Sequence, residues 1–354
     1  MWRFPRHSSI TFDVGAAGLR VSQAAGGAGT TRIRDAIAIE LDAAADEPGA
    51  LLDRLVRLVD QGAFSGRDVA LVLGPPDIQF HALRVPDAAL RQGEAQVAEM
   101  LRWEVSSQSR AEPDELEVRH WVLPPARRNG ENVMAVSMMA QAALDWVEGF
   151  SKRGLTLRRI ESAPAALTHL AAMAFPPDPD HLWASLDLGR DAATLTVAIG
   201  RTPVYVRALP VSMRKWTEQL ATALDVPVDV AERVKRENGI APERRGAAAD
   251  GVSPGAVLFG LLREELIGLC SELVRCLHYV RQTHDEVTTS RIALAGGGAQ
   301  TPGLASFIES QLGITVDMLD GHAIRGVRGV RLPSGVTAAE AVACGAALLE
   351  LEAA

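Results

Sequence analysis

Cysteine and lysine are scarce in this chain, and long apolar runs and familiar hydrolase motifs are missing from it. Cys270, Cys276 and Cys344 are its three cysteines. They are odd in number and form no C-x-x-C pair, which fits a reducing compartment and argues against a disulfide framework. Cys276 and His278 lie two apart on a predicted helix, on different faces, so a zinc site is not expected there. Lys152, Lys215 and Lys235 are the three lysines; the other basic residues are arginine, a skew that follows GC-rich coding. No uninterrupted apolar stretch reaches the roughly 18–20 residues that span a bilayer. The opening Met1-Trp2-Arg3-Phe4-Pro5-Arg6 lacks a signal-peptide core. The expectation is a cytoplasmic protein, brought to a membrane by a partner if at all. G-x-S-x-G, H-E-x-x-H and Walker A patterns are absent, and the eight histidines are scattered. Ser212-x-x-Lys215 has acyltransferase spacing but follows a strand, where Ser212 reads as a helix N-cap.

With 354 residues the chain has two domains as its natural prior. The net charge of −8 disfavours a nucleic-acid partner.

Two Asp-hydrophobic-Gly turns stand out. Asp13-Val14-Gly15 ends the run Ile10-Thr11-Phe12 and is followed by Gly18–Ser22. Asp187-Leu188-Gly189 ends Trp183–Leu186 and is followed by Thr194–Ile199. Strand, acidic-Gly turn and returning strand make a hairpin whose tip amides can hold phosphate. The neighbouring carboxylates, Asp13 and Asp187, can hold hydrated Mg²⁺. Each Asp can equally serve its own turn alone. A third cue is Gly296-Gly297-Gly298, placed after an apolar strand and before Pro302, where a helix is predicted over 302–312.

The pattern between these cues alternates sheet and helix. Residues 8–42 predict a three-strand meander turning at Gly26-Gly27-Ala28-Gly29, and 48–62 an amphipathic helix with Leu51, Leu55, Leu58 and Val59 on one face. Val69–Leu73 reads as a buried strand. Residues 77–150 then run β-α-β-β-α: strand Ile78–Val85, helix 87–106, strands Glu117–Leu123 and Asn132–Met138, and helix 140–153 carrying Leu144, Val147 and Phe150. Leu157–Ser162 is a strand and 163–174 a connecting helix. Pro176–Asp180 is the linker-like boundary. The second half predicts a strand at Val204–Val211, helices at 212–224 and 228–238, a loop at Ala241–Ser253, and one long helix over 255–282. Strand Arg291–Ala295 and a terminal helix, Ala338–Leu351, complete it.

Two further groups have chemical potential. Glu232, Lys235 and Arg236 share a helix face and could grip a nucleoside or form a plain surface ion-pair set. Glu161 follows an apolar strand and could orient a water or cap the next helix.

This order resembles the actin-like ATPase superfamily, and most of all its PilM branch in type IV pilus assembly. Pro75-Pro76-Asp77, Val85-Pro86, Leu101-Arg102-Trp103-Glu104 and Glu112-Pro113-Asp114-Glu115 are similar to that family's inserted subdomain. Leu155–Leu167 and Leu294–Leu304 are similar to its later segments. The resemblance implies an α/β, actin-like (ribonuclease H-like) two-lobed fold. The first lobe would cover 1–175 with an inserted α/β subdomain at about 75–150, and the second 180–335; residues 336–354 would be a helix returning to the first lobe. It implies ATP and Mg²⁺ as ligands. Asp13, Gly15 and Ala16 would form one phosphate loop, and Asp187, Gly189 and Arg190 the other. Glu232, Lys235, Arg236, Gly296, Gly297 and Gly298 would meet the nucleoside. Asp13, Glu161 and Asp187 would be the catalytic candidates of what is at most a weak ATPase. The implied partner is a PilN-like bitopic inner-membrane protein, docked through its N-terminal cytoplasmic tail. Ala16-Ala17 replaces the family's hydroxyl residues, and Arg190-Asp191 its small ones, which separates binding from turnover. A small-molecule kinase on the same fold and a scaffold that binds no nucleotide are the alternatives.

Overall fold

The computed structural model describes residues 6–16, 18–27, 30–40, 48–91, 93–125, 130–178, 181–241, 253–284 and 287–353. Ala17, the Ala28-Gly29 tip, Pro179-Asp180 and 242–252 of the expected loop lie outside the described residues.

The chain opens with β1 (Arg6–His7), β2 (Ile10–Gly15), β3 (Gly18–Gly27) and β4 (Thr30–Glu40). The last three are the antiparallel meander that the alternation predicts. Ile10 and Phe12 point into one core while Thr11 and Asp13 take the opposite face, the period-two consequence of a pleated strand. Helix α1 (Pro48–Asp60) buries Leu51, Leu55 and Val59. Strand β5 (Asp68–Leu73) is buried from Val69 onward, as expected of a parallel strand covered on both faces.

Next come β6 (Gln79–Leu83), α2 (Asp87–Leu90), α3 (Glu94–Gln108), β7 (Leu116–Val122), β8 (Val133–Met139) and α4 (Ala140–Ser151). They make a three-stranded sheet in the order β6-β8-β7, with its own core around Leu101, Val105, Val118 and Val133. The single helix expected over 87–106 is two, because Gly93 takes φ 108°. Helix α4 also differs from expectation. Phe150 is fully buried, but Leu144 and Val147 are exposed. The face that docks carries Trp146, stacked on Phe150 at 5.9 Å, and Gly149, where a Cβ would lie 2.9 Å from Leu52. Phe150 packs edge-on against Phe12 at 5.7 Å. Two rings and a close approach outweigh two aliphatic side chains.

Strand β9 (Thr156–Ser162) returns alongside β5, and α5 (Ala163–Ala174) follows, N-capped by Ser162. The second half holds β10 (Leu182–Leu188), β11 (Ala193–Ile199), β12 (Thr202–Leu209), α6 (Met213–Leu224), α7 (Val228–Asn238), α8 (Pro254–Leu261) and α9 (Arg263–Thr283). It continues with β13 (Thr289–Ala295), α10 (Leu304–Leu312), β14 (Thr315–Met318), α11 (Gly321–Arg325), β15 (Val330–Arg331) and α12 (Ala341–Ala353). The long helix expected over 255–282 breaks at Leu262, whose ψ of 7° turns the chain while Leu258, Leu262 and Leu266 all stay buried. Helix α10 begins at Leu304, after Gly303 with φ 84°, and not at Pro302.

The second sheet runs β12-β11-β10-β13-β14, and the first β15-β4-β3-β2-β5-β9 with β1 beside β3. Helices α5 and α12 lie together between the two sheets, in a shared core rich in alanine. Their approach is close: a Cβ on Gly345 would sit 2.3 Å from the Ala166 carbonyl oxygen. The sheet of β6–β8 touches both halves. Ile78 joins the first sheet's core, whereas Leu123 and Met134 join the second's. Trp121 Nε1 donates to the Pro203 carbonyl at 2.9 Å.

Candidate functional site

Asp13 and Asp187 occupy the last turns of two strands whose polar faces look into the space between the sheets. Asp13 sits opposite Arg20 on β3 and in register with Val72 on β5, which in turn is level with Glu161 on β9. Asp187 sits opposite Thr194 and in register with Ala295, the residue before the glycine run. The structure brings the two carboxylates into electrostatic reach of each other. Burial pushes Asp13 up to about 7, with repulsion from Asp187 adding and Arg20 subtracting. Burial likewise raises Asp187 to about 6, against the pull of Arg20.

Arg20 is the cation of this cluster and was not singled out from the sequence, although its place on the returning strand across from Asp13 was the available signal. Its Nη1 donates to the Leu19 carbonyl at 3.3 Å, and its buried Nε has no hydrogen-bond partner. That nitrogen lies 3.9 Å from Glu340 Oε1. Glu340, also missed, is buried and accepts from both the amide and hydroxyl of Thr337, each at 2.7 Å, capping the 3-10 turn Ala338–Glu340. The same turn accepts the Gly296 amide at the Ala338 carbonyl, 3.0 Å away. It therefore touches both the first hairpin and the glycine run.

The three glycines have different reasons for being glycine. Gly296 has φ 85°, and a Cβ there would lie 2.3 Å from Asp187 Oδ1. A Cβ on Gly298 would lie 2.6 Å from Met213. Gly297 faces open space. Two of them serve protein packing and one leaves room. Gly15 and Ala16 are exposed at the first hairpin's tip. In the second, a Cβ on Gly189 would sit 2.6 Å from the Ala192 carbonyl. The Arg190 carbonyl accepts from the Arg214 amide at 2.8 Å and from Ser212 Oγ at 3.0 Å. Asp191 pairs with Arg214 Nε at 2.7 Å.

Glu232, Lys235 and Arg236 are brought together on α7, but not equivalently. Lys235 is 2% exposed and Arg236 about half exposed. Lys235 Nζ donates to Glu232 Oε2 at 2.6 Å and to Thr217 Oγ1 on α6 at 2.7 Å. Arg236 Nε donates to Glu232 Oε1 at 2.8 Å. Burial alone would raise Glu232, yet Lys235, Thr217 and Arg236 together bring it down to about 2. Glu161 stands apart: Arg159 pairs with its carboxylate, and Oε1 accepts the Ser162 amide at 3.0 Å. The helix cap is Ser162, not Glu161.

A separate cavity of about 380 Å³ opens beside β6 and β8 and the 3-10 turn Pro113–Glu115. Pro76, Asp77, Arg110, Leu116, Met138 and Met139 are among its walls. Among the described residues no group of three or more His, Cys, Asp or Glu could ligate a metal directly, and no helix is long and apolar enough to cross a membrane.

This geometry, two strand-turn-strand hairpins that bring Asp13 and Asp187 into electrostatic reach with a glycine turn beside the second, belongs to an α/β actin-like ATPase fold. Solved structures show the same architecture. A PilM-PilN type IV pilus biogenesis complex matches over 97% of this chain and 98% of its own, with a TM-score of 0.77 and 22% identity. MreB5 of Spiroplasma citri bound to ADP matches over 98% and 97%, with a TM-score of 0.50 and 12% identity. The ethanolamine utilization protein EutJ from Carboxydothermus hydrogenoformans matches over 98% and 90%, also at 0.50, with 13% identity. No curated protein sequence matches. The family model for type IV pilus assembly protein PilM matches residues 129–350, and the chain belongs to that family.

Proposed function

We propose that this chain is a nucleotide-binding scaffold of type IV pilus machinery, or of a related secretion machine. It holds ATP with Mg²⁺ between its halves and docks the cytoplasmic tail of a PilN-like inner-membrane partner. One observation carries the nucleotide part: Asp13 and Asp187 gather around an arginine whose buried Nε lacks an acceptor. Two carboxylates with raised affinity for protons share this one arginine with Glu340, 3.9 Å from its Nε, so the cluster is short of positive charge. A hydrated Mg²⁺ carrying a phosphate chain supplies that charge. Asp13 and Asp187 would hold the ion through water, and Arg20 with the Gly15, Ala16 and Gly189 turns would meet phosphate. Arg236 and the open side of Gly297 would meet the nucleoside, with Glu232 and Lys235 holding Arg236 in place. Asp191 is neutralised by Arg214, which weakens the case that it repels phosphate. Glu161 is already engaged by Arg159 and Ser162, so this reading assigns the cleft to binding and none of it to turnover. The ADP-bound MreB5 structure supports a nucleotide in this fold.

The PilM-PilN complex among the matches supports the partner. The cavity beside Met139, itself 42% exposed, is the place where an extended tail would find apolar anchorage. The protein would sit at the inner membrane through that tail alone. Titration calorimetry with Mg-ATP is expected to show binding that Asp187→Ala removes; no heat with the parent ends the nucleotide part. A synthetic tail peptide is expected to bind, and Met139→Glu to weaken it at least fivefold. Unchanged affinity would place the tail elsewhere.

A further inference from the structure

We infer that the outward face of α9 is a self-association surface, on which a second copy of this chain packs its own α9 antiparallel. The helix buries Leu266, Leu269, Leu273 and Val280 inward. Outward it exposes Ile267 by 49% and Val274 by 53%, two of the larger apolar side chains left on the surface. Between them lie Gly268 and Ser271, both exposed. A Cβ on Gly268 would meet nothing within 4 Å. A mid-helix glycine is less favourable than alanine, and no contact within the described chain offsets that. A close neighbour from outside does.

The spacing settles the kind of neighbour. Glu264, Ile267, Ser271, Val274, His278 and Arg281 fall on one seam with steps of three, four, three, four and three, the rhythm of a helix that packs along a partner helix. The charges on the seam are acidic at its start and basic at its end. A helix of the same sequence laid antiparallel about a two-fold axis between Ser271 and Val274 meets this pattern with its complement. Glu264 then faces Arg281 of the other copy, and each Val274 enters the dip over Gly268 and Ser271. The opposed helix dipoles favour the same orientation. A parallel copy would set like charges together at both ends. With 21 residues, α9 offers a seam about 31 Å long.

Sedimentation velocity on the full chain, across a concentration series, is expected to show a monomer-dimer equilibrium. Val274→Glu should weaken it at least tenfold with an unchanged thermal melt, since the side chain is exposed. Glu264→Arg and Arg281→Glu should each weaken it severalfold, and their combination should restore it. A chain that stays monomeric throughout overturns the inference. So does a dimer indifferent to Val274→Glu, or a double charge reversal as weak as either single one.

Discussion

Two charged clusters in this molecule have opposite electrostatic characters. Between the sheets, Asp13 and Asp187 are pushed up to about 7 and 6, and Arg20 Nε makes no hydrogen bond, with Glu340 3.9 Å away. On α6 and α7, Glu232 is brought down to about 2 by three donors, and Lys235 is sealed beneath it. The first cluster shares one arginine among three carboxylates, and the second gives one carboxylate three donors. An under-satisfied polar cluster costs stability until something binds, whereas a saturated one contributes stability by itself. The difference separates a cluster short of cations from one that braces α7 against α6, although both were plausible ligand contacts in the sequence.

The largest expected effect comes from breaking the brace. Lys235→Met removes the buried cation and leaves Glu232 leaning on Arg236 and Thr217. Urea denaturation should show a loss of about 3 kcal/mol, the scale for removing one partner of a buried pair. Asp13→Asn, in contrast, should stabilise the ligand-free protein at pH 8. A gain of roughly 1–2 °C in Tm corresponds to about 1 kcal/mol for a chain of this length, after allowance for solvent at the partly exposed Asp13. The same variant should lose its response to Mg-ATP.

The two clusters should also titrate with opposite slopes. Between the ordinary carboxyl value of 3.8 and about 7, folded Asp13 retains a proton that the unfolded chain has released. Ligand-free stability therefore falls as pH rises through that window. Glu232 is lowered from 4.5 to about 2, so its contribution is fully present above 4.5 and is lost as pH falls toward 2. Thermal melts from pH 3 to 8 should show both limbs. Asp13→Asn should flatten the upper one, and Glu232→Gln the lower. Thr217→Val, which removes the hydroxyl shared by Glu232 and Lys235, should cost about 1–2 kcal/mol. Smallest of all, Arg214→Ala breaks only exposed pairs with Asp191 and Glu218 and should leave Tm unchanged.

Most elements were legible because their side-chain periods are clean. The β2–β4 meander alternates, β5 is a solid apolar run, and α5 begins on a Ser-capped proline turn. The misreadings have local causes. Gly93 interrupts α2–α3 with a positive φ that an otherwise continuous helical pattern concealed. Leu262 turns the chain between α8 and α9 without any glycine or proline at the turn itself. On α4 the aliphatic stripe was the obvious face, but the Trp146–Phe150 stack is the one that docks. The site divides the same way. Asp13, Asp187 and Gly296–Gly298 stood out as short motifs beside strands. Arg20, Thr217 and Glu340 did not, because their roles depend on neighbours across a hairpin, across two helices, and across about 320 residues of chain.

The sequence by itself determined the period of each element, the hairpin turns that carry Asp13 and Asp187, and the family to which their order points. These are local properties, set by backbone sterics and by the spacing of apolar side chains. Tertiary structure alone decided which charges are satisfied. It seated Lys235 under Glu232, left Arg20 Nε without a hydrogen-bond acceptor, and packed Gly296 and Gly298 closely while leaving Gly297 open. Satisfaction of a buried polar group depends on distance and dielectric, and both are settled only when distant segments are packed together.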